Sequence, residues 1–240
     1  MHRLAVALIG LILAACTPET QGGGGQLAPQ ETRFSPEVAM RMFPGDASIA
    51  RYATIAARME PVIERECRAR APRSKCDYQI FVETHPEAPA NAYQGENRRG
   101  QPTIAFTRKL LAELRNDHEI AFIMGHEAAH HIRGHLPVKT EALIAGWIAG
   151  EVAAHVAGAS EEETQQAAAL GGLIAISGFS KEFELEADAL GAVITEIAGY
   201  DAITGSQYFR RMRDPGHKYL GTHPPNAQRL QTVRRAVAGM

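Results

Sequence analysis

The chain has 240 residues, 45% of them hydrophobic and 22% charged, with a formal net charge of −2. That length allows one domain with a sizeable core plus tails, and the composition is that of an ordinary soluble globular protein. The near-neutral balance implies no basic face, which argues against general nucleic-acid binding.

Arg3 precedes an apolar run over residues 4–15, too short for a usual membrane span and right for a signal-peptide core. The run ends Leu13-Ala14-Ala15-Cys16. Small residues before a cysteine resemble the bacterial lipobox, which implies cleavage before Cys16 and lipid on its thiol and new amino group. Several acyl chains anchor a protein stably where one does not. The alternatives are an ordinary signal peptide cut near Ala15 or an uncleaved anchor. Thr17 is not the aspartate that favours inner-membrane retention in the better-known lipoprotein sorting rule. The expected location is therefore the periplasmic side of the outer membrane. Residues 17–31 hold four consecutive glycines and two prolines, with no apolar period, and read as a tether. The expected division is a signal peptide over 1–15, a lipidated cysteine and tether over 16–33, and a folded domain over 34–240.

Residues 36–70 read as helical, divided by Pro44-Gly45, with Ala39, Met42, Ile49, Tyr52, Ile55, Ala56, Met59 and Ile63 as the apolar stripe. Cys67 and Cys76 meet an oxidising compartment after export, so a disulfide is expected, two buried thiols being the alternative. Residues 78–82 are the best strand signal, Pro86, Pro89 and Asn91 mark a loop, and 101–107 form a second strand before a helix over 107–114. Asn116 and Glu119 then form a capping box ahead of Ile120, Ile123, Met124, Ala128 and Ile132, a buried helix closed by Gly134 and Pro137. Residues 138–158 are almost entirely apolar, but Glu141, Glu151 and His155 argue against a membrane span, leaving a buried or partner-facing helix. A second capping box at Ser160 starts a helix to about residue 176. Further helices follow over 180–198, 201–212 and 226–238.

The chemistry centres on His126-Glu127-Ala128-Ala129-His130. Histidines four apart share one helix face, about 6 Å apart along the axis, and both can reach one zinc ion. Glu127 stands beside such an ion rather than on it, where its carboxylate can serve as general base. A catalytic zinc usually takes a third protein ligand and keeps an open position. The helix over 180–198 offers Glu182, Glu184, Glu186 and Asp188, of which Glu184 and Asp188 share a face. One acid would bind the metal, and the other would accept the outer N–H of a ligand histidine.

Residues 180–191, Ser-Lys-Glu-Phe-Glu-Leu-Glu-Ala-Asp-Ala-Leu-Gly, resemble the S-R-x-x-E-x-x-A-D-x-x-G signature of the HtpX and CAAX prenyl protease family of zinc metallopeptidases, with Lys181 in place of arginine. The histidine motif matches that family's metal helix, and His135 its frequent trailing histidine. Asn91-Ala92-Tyr93 resembles its N-A-F segment beside the cleft. Thr222-His223-Pro224-Pro225, with Arg229, resembles its C-terminal T-H-P-x…R stretch. The resemblance implies Glu184 as third zinc ligand, Asp188 as its supporting acid, and kinship with the soluble, exported lipoprotein members concerned with envelope protein quality control.

The expected fold is α+β and mostly helical, a zincin-like metallopeptidase core with a small sheet. The expected function is zinc-dependent endopeptidase action on misfolded or damaged envelope proteins, with one zinc per chain on His126, His130 and Glu184. Polypeptide would lie along the edge strand at Asn91, Ala92 and Tyr93, and envelope proteins are candidate partners. His223 would either donate to the oxyanion or close the zinc as a fourth ligand. The alternative function is a zinc-containing binding or chaperone-like lipoprotein without proteolysis.

Overall fold

The computed structural model describes residues 32–214, 216 and 223–240. The expected signal peptide, Cys16, nearly all of the tether and Thr222 lie outside them. The two N-terminal helices are α1 (Pro36–Met42), with Ser35 as N-cap, and α2 (Ala47–Arg70), whose cap Asp46 accepts the Ser48 and Ile49 N–H groups. The expected stripe on α2 is buried, from Ile49 through Ile63 to Cys67. Cys67 and Cys76 form a disulfide with 5.7 Å between Cα atoms, which ties the end of α2 to the start of the sheet.

The sheet has four strands, β1 (Arg33–Phe34), β2 (Gln79–Glu83), β3 (Ala92–Glu96) and β4 (Pro102–Thr107), in the order β1-β2-β4-β3. β2 and β4 are parallel, and the two outer pairings are antiparallel. β4 is buried along its whole length, as a central strand should be. β3 lies at one edge, with Tyr93 opposite Ala105. β1, two residues long, carries no strand signal in the sequence. β3 takes in Ala92 and Tyr93 of the expected edge strand and runs on to Glu96; Ala-Tyr-Gln-Gly-Glu lacks the β-branched alternation that marks a strand, so only the family resemblance points to it.

A short helix, α3 (Arg108–Glu113), leads to α4 (Asp117–Ile132), the histidine helix, which is buried at most of its positions. Gly134 turns the chain at φ 68° into α5 (His135–Val156). Pro137 thus lies in the first turn of α5 instead of closing α4, a position where its missing N–H costs nothing. α6 (Glu161–Ile197) is one helix of 37 residues. This corrects the two separate helices expected over 160–176 and 180–198. The helix runs unbroken through 177–179, where the gap between the two was expected, and the Ser180 hydroxyl bonds back to the Ile176 carbonyl within it. One helical glycine costs only about 1 kcal/mol, which packing overrides. The chain closes with α7 (Ala202–Ser206), a 3-10 turn at Gln207–Arg210, and α8 (Asn226–Ala238).

α5 and the first half of α6 form a hairpin in backbone contact. A Cβ on Gly146 would collide with Gly171, and one on Gly150 with Ala167. Only His135 and Ala154 of α5 are buried, while Ile144, Trp147, Ile148 and Val152, with Leu170 and Ile174 of α6, are exposed. Among the described residues no helix is long and apolar enough to cross a membrane.

Candidate metal centre

α4 is fixed in depth by its first turn. The Asn116 side chain caps the Glu119 N–H at 3.0 Å. Glu119 does not close the capping box. Its carboxylate takes the Arg115 N–H and two 2.7 Å bonds from Arg211. Arg211 therefore clamps the start of the histidine helix, and it holds the Glu119 carboxyl below its ordinary range against the opposing effect of burial.

One turn later α4 meets α6 at Gly125 and Gly191. Without side chains there, the helices lie backbone to backbone, and α6 brings Glu184 and Asp188 to the histidines. The His126 and His130 Nε2 atoms are 3.1 Å apart. Glu184 places one carboxylate oxygen 3.6 Å from His126 Nε2 and the other 3.3 Å from His130 Nε2. These three side chains are buried, and their donor atoms all lie within 4.8 Å of one another. Two ligands held at about 2.05 Å from one tetrahedral zinc are about 3.3 Å apart, so the spacing and the two-nitrogen, one-oxygen donor set fit such an ion. Burial would raise the Glu184 carboxyl, but His130, His223, His126 and Arg229 around it hold it well below its ordinary value, as an anion ready to ligate.

Asp188 accepts from His126 Nδ1 at 3.0 Å, which turns Nε2 toward the cluster. It is itself bound by Arg229 of α8 at 2.7 and 2.6 Å. Both residues are buried, and the guanidinium outweighs burial to keep the aspartate ionised. Arg229 also lies 3.4 Å from Glu184. Its part was not legible from the residues, since nothing in the sequence says that α8 folds back onto α6. The Glu127 carboxyl is raised by burial, partly relieved by His126, and so holds a proton more readily than a free glutamate.

His130 turns its Nδ1 to the Nδ1 of His135 at 2.8 Å, and His135 Nε2 lies 3.2 Å from Glu186. Burial and the neighbouring His130 push the His135 imidazole down to about 4. His131 faces the other way and bonds the Lys75 carbonyl at 2.8 Å. His155 is exposed on the hairpin. His223, half-exposed before α8, reaches Glu184 through Nδ1 at 3.1 Å but stands outside the three-donor group. Asn91 is pinned by its N–H to the Thr107 hydroxyl, and Ala92 and Tyr93 open β3, with the Tyr93 hydroxyl on Glu83.

The family model of peptidase family M48 matches residues 50–237, a span that holds every one of these groups. The chain belongs to peptidase family M48. A protein of Vibrio cholerae serotype O1 named as a beta-barrel assembly-enhancing protease is 29% identical over 132 residues. The match covers 51% of this chain and 26% of that protein. Membership of M48 makes the chain a metallopeptidase by family. It also accounts for the fold, a mostly helical domain with a small mixed sheet in which two helices present a histidine pair and a glutamate to one point.

Proposed function

We propose that this M48 chain is a zinc-dependent endopeptidase of the bacterial envelope, anchored by lipid on Cys16 at the periplasmic side of the outer membrane, where it degrades misfolded or damaged proteins. The observation that carries the reading is the convergence of His126, His130 and Glu184 at zinc-ligand spacing, with Glu127 close enough to feel the His126 and Glu184 charges and the edge strand β3 packed against the histidine helix.

When bound, zinc supplies a Lewis acid that polarises the scissile carbonyl and acidifies a water. Glu127 takes a proton from the attacking water and delivers it to the leaving amine; its raised affinity for protons suits both halves of that exchange. Asp188 holds the His126 ring, and Arg229 holds Asp188. His223, whose Nδ1 lies 3.1 Å from Glu184, would donate a hydrogen bond to the oxyanion that forms on the attacked carbonyl. An extended polypeptide would add to the outer edge of β3 through backbone bonds. Backbone recognition discriminates weakly between side chains, which suits unfolded substrates of varied sequence. The name of the Vibrio relative speaks of β-barrel assembly. Outer-membrane barrel proteins and their assembly partners are accordingly the envelope proteins proposed here as substrates or partners.

The test is degradation of an unfolded protein by the purified, zinc-loaded chain, with Glu127→Gln in parallel. The parent should cleave internally, and the variant should retain about one zinc per chain with no cleavage. Loss of zinc along with activity would assign Glu127 to the ligand set instead. For the anchor, Cys16→Ala should remove lipid mass from the mature N-terminus and shift the protein out of the membrane fraction; unchanged fractionation with no lipid mass in the parent would defeat that part.

A further inference from the structure

Of the two ligand histidines, His126 is oriented directly by a buried carboxylate, whereas His130 is oriented by another histidine. We propose that His135 and Glu186 are positioning residues that fix the tautomer and ring angle of His130, so that its Nε2 is bare and aimed at the metal. This rests on the metal reading above.

The argument is one of proton accounting along a short chain. Two ring nitrogens facing each other at 2.8 Å, here His130 Nδ1 and His135 Nδ1, can bond only if one carries hydrogen and the other does not. The far side of His135 decides which. Its Nε2 faces a Glu186 oxygen at 3.2 Å, and an ionised carboxylate only accepts. His135 therefore carries its proton on Nε2 and is bare at Nδ1. His130 must then donate from Nδ1, which leaves its Nε2 bare, 3.3 Å from Glu184 and 3.1 Å from His126 Nε2.

The fold builds this relay deliberately into one corner. Gly134, at φ 68°, reverses the chain so that the first residue of α5 falls back on the ring of His130. The His135 ring is stacked on Phe183 at 4.2 Å and 5° between planes, and its side chain is 3% exposed. Phe183, Glu184 and Glu186 all come from α6. A single helix thus supplies one ligand and the two groups that hold the orienter of another.

The test uses the full chain, with zinc affinity read by competition with a chelator. His135→Phe keeps a flat ring on Phe183 but cannot accept a hydrogen bond. It should weaken zinc binding about 10–100-fold, the usual scale for losing such a contact. His135→Asn offers an oxygen close to the Nδ1 position and should recover most of that loss. Glu186→Ala, at a half-exposed position, should weaken binding less than His135→Phe. Independently of any variant, nitrogen-15 spectra of the zinc-loaded parent should show His135 neutral with its proton on Nε2 and His130 protonated on Nδ1. Equal zinc affinity in His135→Phe and the parent, equal losses in the Phe and Asn variants, or an Nδ1-protonated His135 would each overturn the proposal while leaving the metal centre standing. A parent that binds no zinc would sink the metal reading itself, and this proposal with it.

Discussion

Gly191 and His126 are in backbone contact: a Cβ on Gly191 would lie 2.7 Å from the His126 nitrogen, and one on Gly125 would lie 2.8 Å from the Gly191 carbonyl oxygen. The separation of the two ligand-bearing helices is therefore set by the absence of side chains, not by their fit. Gly191→Ala should push α6 off α4, cost about 1–3 kcal/mol through overpacking, and weaken zinc binding by at least about tenfold. Gly178→Ala, in the same helix with nothing within 4 Å of the added carbon, should instead stabilise by about 0.5–1 kcal/mol. Thermal melts with and without zinc separate the two effects. An unchanged zinc affinity in Gly191→Ala would mean that Glu184 reaches the histidines by side-chain adjustment alone.

Arg229 and Asp188 form a buried ion pair. Arg229→Met leaves a carboxylate without its partner in the interior, and should destabilise the metal-free protein by about 3–5 kcal/mol. Adding Asp188→Asn removes the stranded charge, so the double variant should be more stable than the Arg229→Met single. Urea unfolding at pH 7 measures both. A double variant less stable than the single would show that Asp188 is held ionised by the histidine rather than by the arginine.

His223→Ala should lower turnover of a good peptide by about 10²–10³, the scale of one lost oxyanion donor. The motive is its place beside Glu184 but outside the three-donor group. A rise in turnover would put the imidazole on the metal as a closing ligand. An unchanged rate with unchanged zinc affinity would leave it as a turn residue.

Glu119 supplies a pH dependence whose sign can be worked out. Its carboxyl is lower in the folded chain than the unfolded value of about 4.3, because Arg211 and the Arg115 N–H outweigh burial. A group depressed by folding stabilises above its unfolded value, and that stability is lost as pH falls through the folded value. Glu119→Gln should therefore cost about 2 kcal/mol at pH 7, and its gap from the parent should close on acidification below about pH 4. A gap that stays constant between pH 7 and pH 3 would show that shape, not charge, holds Arg211 in place.

The Cys67–Cys76 bridge closes a short loop, a sequence separation of 9. Its reduction should cost at most about 3 kcal/mol by loop entropy. Because Lys75 of that loop accepts the His131 bond, reduction should also speed amide exchange at the C-terminal end of α4. Exchange confined to the loop would show the His131 bond to be incidental.

Much of this site could be read before any coordinates, and for a physical reason. His126, Glu127 and His130 lie within one helical turn, so their spacing alone fixes their shared face, and Glu184 and Asp188 stand one turn apart in the same way. The disulfide and the helices at 36–70 and 226–238 were equally local inferences. What escaped was non-local or unpatterned. β1 is two residues long and exists only through its pairing with β2. The bond from His135 to His130 depends on the reversal at Gly134, and the Arg229 clamp depends on α8 returning to α6. Gly125 and Gly191 stood in view beside each ligand motif, but a glycine announces a close approach without saying to what.

α6 has one more consequence, a mechanical one. At 1.5 Å per residue it is a rod about 55 Å long, and Glu184 is in the same rod as the hairpin tip at Glu161, about 35 Å away. A tilt of about 5° around Glu184 swings the tip by about 3 Å. The hairpin thus has the geometry of a lever, with Glu184 at its fulcrum and Trp147, Ile148 and Leu170 in the open on its arm. A partner whose grip on that arm differed between two tilts of α6 would be coupled to occupancy of the Glu184 site, and the coupling would act equally in both directions.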